Sequence, residues 1–315
     1  MTLHPQALAL LAMLPPASGV EPTVEEARRG NPDIGRPSGP AVGATRDVTI
    51  ADADGNPMRV RFYVPANVPS APLPALLFFH GGGWVTGDLD THDATCRSLA
   101  VASGCQVVAV EYRCAPEAKF PAAPRDGHAA LQWLVAHAQE FGVDPTRVAV
   151  GGDSAGGNIA AAVTLMARDQ GGPALAFQLL VYPVTHHAFD TPSYDRYADG
   201  YLLTRRGMQW NWNHYLPDAA SGRDPLASPL LAPDLRGLPP ALLITAECDP
   251  LCDESEAYGR RLAEAGVPVE FRRYDGMLHA FFTMEHLFDD GRAAVAYAGA
   301  ALRKALLRPE LSAPT

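Results

Sequence analysis

VAVGGDSAGGN, Val148 to Asn158, is an apolar run that ends abruptly in a cluster of glycines with one serine at its centre. Upstream, "RVAV" has the continuous apolar, β-branched character of a buried strand, and downstream "AGGNIAAAVTLMARDQ" has the alanine-rich pattern of a helix. Gly152-Asp153-Ser154-Ala155-Gly156 is thus G-x-S-x-G between a strand and a helix, the setting of a nucleophile elbow, where a strained turn exposes the serine hydroxyl. Glycines two before and two after the serine leave no Cβ to hold strand and helix apart. The helix N-terminus aims its dipole and free N–H groups at any oxyanion formed there. Two other readings compete. With 28 glycines in 315 residues, the three fixed positions arise by accident in on the order of a tenth of such chains, so a glycine-rich packing turn is the plain alternative. A phosphate cradle is the other, but no Lys-Ser/Thr pair follows for a P-loop, and neither this cluster nor "HGGGWVTG" fits G-x-G-x-x-G.

The company of the serine favours the elbow. His80-Gly81-Gly82-Gly83 follows the apolar run "LPALLFF", and consecutive glycines leave backbone N–H groups uncovered, as acyl transfer needs where negative charge develops. Gly81 and Gly82, with Ala155 after the serine, are the expected oxyanion donors. A serine hydroxyl needs a base, and the base an acid; on this architecture the chain order is Ser, Asp or Glu, His. His186, His187 and His214 precede the last strands and fit that order poorly. His279, in "YDGMLHAFF" after "PVEFRRY", stands in a loop at a strand end, whereas His286 is expected within a later helix. Asp249 follows "LLITAEC" and precedes Pro250, which stops the strand. Glu247 is its competitor: side chains alternate along a strand, so the two share a face and spacing alone does not separate them. Asp253 and Glu254 read as first-turn residues of the next helix, and Asp153, Asp88 and Asp126 as residues that tie loops.

Further out, "RDVTIADADGNPMRVRFYVP" is two alternating runs around Asp54-Gly55-Asn56, a β-hairpin signal. The remaining apolar runs alternate with helical patterns, which predicts an α/β chain with a mostly parallel sheet covered on both faces. Residues 185–239 break the alternation and are too long for a loop. Their first part, to Leu216, is expected to form a helical lid over the strand ends. In "YLLTRRGMQWNWNHYL", Leu203, Met208, Trp212, Tyr215 and Leu216 recur at near-helical spacing. Before the hairpin, "RGNPDIGRPSGPAVG" reads as an extended linker after a short N-terminal helical region.

Composition excludes other classes. A net charge of −10 argues against nucleic acid, no run approaches the ~18 apolar residues of a membrane span, and "ALALLAML" lacks a basic n-region. Five cysteines are an odd number in a chain too large to need disulfide staples. A cytoplasmic protein, with no membrane partner, is therefore expected. Cys248 and Cys252 have no further pair or histidine nearby, so no metal site is expected.

Taken in order, "HGGGW" with "TGD", "YRCAPE" with "FPAAPRD", "GGDSAGGN", "DGYLLT", "ASPLLAP", "TAECDPL" and "GMLHAF" resemble the hormone-sensitive-lipase-like family of α/β-hydrolases, bacterial esterases with a GDSAGG elbow. The resemblance spans most of the chain. It implies an α/β-hydrolase fold with Ser154 as nucleophile, Asp249 as acid, His279 as base, and an oxyanion hole from Gly81, Gly82 and Ala155. It also implies a cap built from residues 1–45 and 185–216 on a catalytic domain of residues 46–184 and 217–315. Trp84 stands where the family often has Phe or Tyr, Cys252 where it has Arg, and Ala280 where it has Gly. Trp84 at the mouth and Leu203, Met208 and Trp212 on the lid are the expected substrate-binding side chains. The implied activity is hydrolysis of short-chain carboxylic esters through an acyl-enzyme, with no metal or organic cofactor. Amide, formamide or lactone hydrolysis by the same triad is the alternative, and a non-catalytic small-molecule receptor would require a broken triad. Pairing of two copies through an edge strand or the cap is compatible with this reading.

Overall fold

Short runs of Val, Leu and Phe can be buried only if their backbone groups pair with one another, and eight of them do so in one sheet. The computed structural model describes residues 2–14, 20–30, 35, 37–66, 68 and 72–307. Its strands are β1 (Ala44–Ala51), β2 (Pro57–Val64), β3 (Leu73–Phe79), β4 (Gln106–Val110), β5 (Val143–Asp153), β6 (Phe177–Val181), β7 (Ala241–Cys248) and β8 (Val269–Leu278), in the spatial order β1-β2-β4-β3-β5-β6-β7-β8. β2 runs against both of its neighbours, and the other pairings are parallel. The expected hairpin joins β1 to β2, where Asp52 Oδ1 accepts the N–H groups of Asp54 and Asn56.

Side chains alternate across the pleat and so divide the core in two. On β3, Ala75, Leu77 and Phe79 face one cluster, with Leu131 and Leu134 of α4 (Ala122–Ala136), Ile159 and Val163 of α5 (Ala155–Asp169) and Tyr258 of α8 (Cys252–Glu264). Leu76 and Phe78 face the other, with Leu99 of α3 (Asp93–Ser103), Leu302 of α9 (Asp289–Leu306), and Ala7 and Leu10 of α1 (Pro5–Met13). Each fully buried Leu or Phe contributes roughly 1.5–3 kcal/mol, and parallel strands with both faces covered need no polar alternation.

Residues 185–216 contain two helices, α6 (Pro192–Arg196) and α7 (Arg205–Tyr215), and α2 (Val24–Arg29) precedes the sheet. Of the expected linker, residues 31–34 and 36 lie outside the described residues. His286 does not fall within a helix: α9 starts at Asp289, so His286 belongs to the preceding turns. The five cysteines are unpaired thiols, all but Cys114 buried. Among the described residues no helix is long and apolar enough to cross a membrane.

Candidate active site

The elbow between β5 and α5 places Ser154 at φ 56°, ψ −119°, a conformation that costs on the order of 1–3 kcal/mol unless its surroundings hold it. They do: Ser154 N–H donates to Val181 O at 2.9 Å, and Ser154 O accepts from Val184 N–H at 3.2 Å and Asn158 N–H at 3.0 Å. The flanking glycines have a steric reason. A Cβ on Gly156 would lie 1.9 Å from Phe79 O, and one on Gly152 would lie 2.4 Å from Gly156 C.

At the end of β8, His279 points both ring nitrogens at predicted partners. Nε2 stands 2.9 Å from Ser154 Oγ and Nδ1 stands 2.6 Å from Asp249 Oδ2. A nitrogen facing a carboxylate oxygen carries the proton, which leaves Nε2 as acceptor for the serine hydroxyl. Asp249 is fully buried, and its Oδ1 accepts the Leu251 N–H at 2.9 Å. Glu247, at a register irregularity between Ala246 and Cys248, has a different partner: its Oε2 accepts the Gly276 N–H at 2.7 Å on the approach to His279. Tyr182, at φ 33°, packs its ring 4.5 Å from the His279 ring.

The oxyanion loop departs from expectation at one position. The Gly81 N–H is engaged by Asp153 Oδ1 at 3.0 Å, so it is not free to receive an oxyanion. Among the described residues, the N–H groups of Gly82, Gly83 and Ala155 have no acceptor, and the available donors shift by one glycine along the loop. Burial and the neighbouring His92 push the His80 imidazole down to about 4, so it is neutral; its Nδ1 meets Gly81 O at 2.8 Å while Tyr112 Oη donates to His80 O at 2.8 Å. Burial opposes ionisation of Asp153, but the facing His92, Nε2 to Oδ1 at 3.2 Å, more than offsets it and leaves the carboxyl below the usual aspartate range. Nothing in the local pattern around "DTHDATC" marks His92 in advance. Of the other loop-tying aspartates, Asp88 Oδ1 accepts from Asp90 and Thr91 N–H beside this loop. Asp126 instead receives Arg113 and the Ala53 N–H at the hairpin.

Trp84, Met208 and Trp212 do not present surface to a substrate: each is at most 1% exposed. Trp84, at φ 61°, stacks on Tyr215 at 4.1 Å and meets Trp212 at 4.5 Å, so these rings seat α7 on the oxyanion loop. A Cβ on Gly83 would strike the Asn211 side chain at 2.2 Å, which brings α7 onto the loop itself. Leu203 keeps partial exposure. Glu254 does more than complement a helix dipole. It is buried, and its Oε1 accepts the N–H groups of Thr185 at 2.6 Å and His186 at 3.1 Å, where the chain leaves the sheet for α6. Burial pushes its carboxyl up to about 8. Among the described residues, no group of three or more His, Cys, Asp or Glu is placed to hold a metal ion.

An alpha/beta hydrolase fold family matches residues 76–283. The chain is 44% identical over 268 residues to the carboxylic ester hydrolase LipN of Mycobacterium tuberculosis, covering 83% of this chain and 70% of that protein. It is 40% identical over 251 residues to an ethyl acetate hydrolase of Pseudomonas putida, covering 78% of this chain and 77% of that protein. Among solved structures it is similar to an ester hydrolase from the metagenome of Lake Arreo held with a bipyridine phosphonate derivative, at TM-score 0.90 and 38% identity, covering 96% of this chain and 99% of that one. It is likewise similar to a thermostable esterase of Pseudomonas putida, at TM-score 0.87 and 40% identity, covering 98% and 99%.

Proposed function

The chain belongs to the α/β-hydrolase fold family, among its hormone-sensitive-lipase-like esterases, and is a carboxylic ester hydrolase; from that premise we propose that Ser154 is its nucleophile, His279 its base and Asp249 the acid that orients the base. The observation that carries this is the unbroken chain of contacts from Asp249 Oδ2 through the His279 ring to Ser154 Oγ, at 2.6 and 2.9 Å. Ser154 Oγ attacks the ester carbonyl carbon as His279 Nε2 takes its proton, and Asp249 stabilises the imidazolium. The carbonyl oxygen becomes an oxyanion that the N–H groups of Gly82, Gly83 and Ala155 receive. Collapse breaks the bond to the alcohol, which leaves with the proton from Nε2; water then attacks the acyl-enzyme with the same nitrogen as base.

Short acyl chains are the proposed substrates, supported by the slight exposure of Ser154 and His279, 7% each, and residues 185–216 are read as a cap over them. Residues 1–45 complete this cap in our reading, supported by Arg28 of α2, which donates to Val85 O at 2.9 Å and Ala115 O at 3.0 Å beside the oxyanion loop. Five unpaired cysteines support a cytoplasmic location. The edge position of β8, with Phe271 45% exposed, supports pairing of two copies there, and sedimentation of the parent and Phe271→Glu would test it. The test of the chemistry is fluorophosphonate labelling with the adduct mapped, together with hydrolysis of p-nitrophenyl esters of increasing acyl length. We expect the label on Ser154, activity highest on the shortest chains, and loss of both in Ser154→Ala; a label elsewhere, or an active Ser154→Ala, overturns the assignment.

A further inference from the structure

A carboxylate stands one residue from the nucleophile. Asp153 is 4% exposed, and its negative charge opposes the charge that develops on the substrate oxygen unless something answers it. Two groups converge on its Oδ1: the Gly81 N–H at 3.0 Å and His92 Nε2 at 3.2 Å. Nε2 also accepts the Gly81 N–H, at 3.3 Å, so this one amide is shared between the Asp153 carboxylate and the His92 ring. On the other side of the ring, His92 Nδ1 lies 3.0 Å from Thr91 Oγ1, and Thr91 Oγ1 is itself held by the Asp88 N–H at 2.8 Å and Asp88 O at 2.9 Å. The ring is thereby fixed at both nitrogens and is 8% exposed.

We propose that His92 is a positioning residue of the ester-hydrolysing site: its Nε2 takes the Gly81 N–H together with the Asp153 carboxylate and so holds that amide turned inward, away from the oxyanion. The inference rests on the assignment of Ser154, His279 and the Gly82–Gly83 donors above. Its physical content is that the planes of successive peptide groups are coupled. With Gly81 N–H drawn to Asp153, the Gly82 and Gly83 amides have one orientation, and the loop is tight enough that a Cβ on Gly81 would lie 2.4 Å from Asp153 Oδ2. Without the His92 acceptor the Gly81 amide is held by Asp153 alone, and the loop loosens. His92 touches neither substrate nor Ser154, so its effect falls on the stabilisation of the transition state and not on substrate binding.

The experiment compares the full-length parent, His92→Leu, His92→Gln and Ser154→Ala on p-nitrophenyl acetate, with a trifluoromethyl ketone as a probe whose reversible serine adduct carries an oxyanion. Losing one direct oxyanion donor lowers turnover about 10²–10³-fold, so an indirect loss in His92→Leu is expected to lower kcat roughly 10–100-fold. KM should change no more than about twofold, and the ketone inhibition constant should rise by a factor similar to the loss in kcat. His92→Gln, which keeps a side-chain acceptor for the Gly81 N–H, should recover most of the loss. A merely structural defect would lower the active fraction and the melting temperature and leave the ketone affinity unchanged; that result, or a His92→Leu with parental kcat, overturns the inference, as does a Gln variant as impaired as Leu. An active Ser154→Ala would instead remove the assignment beneath it.

Discussion

Glu247 near the end of β7 and Asp249 just past it stand two residues apart, yet Asp249 reaches the His279 imidazole at 2.6 Å and Glu247 reaches a backbone N–H of β8 at 2.7 Å. Asp249→Asn keeps the shape but turns an amide toward Nδ1 or reverses the tautomer, so kcat should fall by about 10⁴ with the melting temperature near that of the parent. Glu247→Gln retains an acceptor for Gly276 and should stay within about threefold of parental kcat; steady-state kinetics on one short ester measures both. Ala280, next to His279, has φ 67°, a region that L-residues with a Cβ enter at a cost of roughly 1–2 kcal/mol. Ala280→Gly should therefore raise stability by about 1 kcal/mol in urea denaturation. A sequence without coordinates names all of these residues but not which partner each one meets.

The elbow and the cap hinge show what elements impose on one another. The packing of β5, α5 and the end of β3 leaves no room at Gly156, where an added Cβ meets Phe79 O at 1.9 Å. Gly156→Ala should cost about 3 kcal/mol or more, read as loss of soluble folded protein or a large drop in the denaturation midpoint. At the hinge, burial raises the Glu254 carboxyl from 4.5 to about 8. The folded state then keeps a proton that the unfolded chain has lost, so this contribution is fully present below about pH 4.5 and declines as pH rises to about 8. The slope is roughly 1.4 kcal/mol per pH unit within that window. Glu254→Gln, which cannot ionise, should lack this slope, so that its stability relative to the parent improves steadily between pH 5 and pH 8 in parallel denaturation curves.

At the scale of the molecule, the N-terminal helix is stitched to the strand that leads into His279. The His4 N–H donates to Gly276 O at 3.1 Å, Gln6 and Asp289 bond reciprocally at 3.2 and 3.0 Å, and Ala7 and Leu10 are buried. Removal of residues 1–14 should cost about 2–3 kcal/mol, mainly through the exposed apolar surface. It should also lower kcat, because Gly276 leads directly into the His279 loop. Urea denaturation and kinetics on the truncated chain check both effects. The sheet lies between two apolar clusters that share its strands.

The alternation of apolar runs with helical patterns, the hairpin turn and the G-x-S-x-G at a strand–helix junction were all legible in the chain, because each depends on local periodicity or local turn chemistry. What remained was decided by contacts between residues far apart in sequence. Hydrogen bonds across the sheet put Asp249 at the His279 ring and Glu247 at the Gly276 N–H, and the Asp153 carboxylate engages the Gly81 N–H while, among the described residues, those of Gly82 and Gly83 have no acceptor. Ring packing buried Trp84, Met208 and Trp212 where a substrate surface was expected. The contacts of His92 and of Glu254 with other loops carried no local signal, since a side chain that holds another loop is recognisable only when that loop is beside it. A sequence of this kind specifies which chemistry is available; the tertiary structure specifies which donor, carboxylate or ring is free to perform it, because burial and hydrogen-bond satisfaction belong to the folded chain alone.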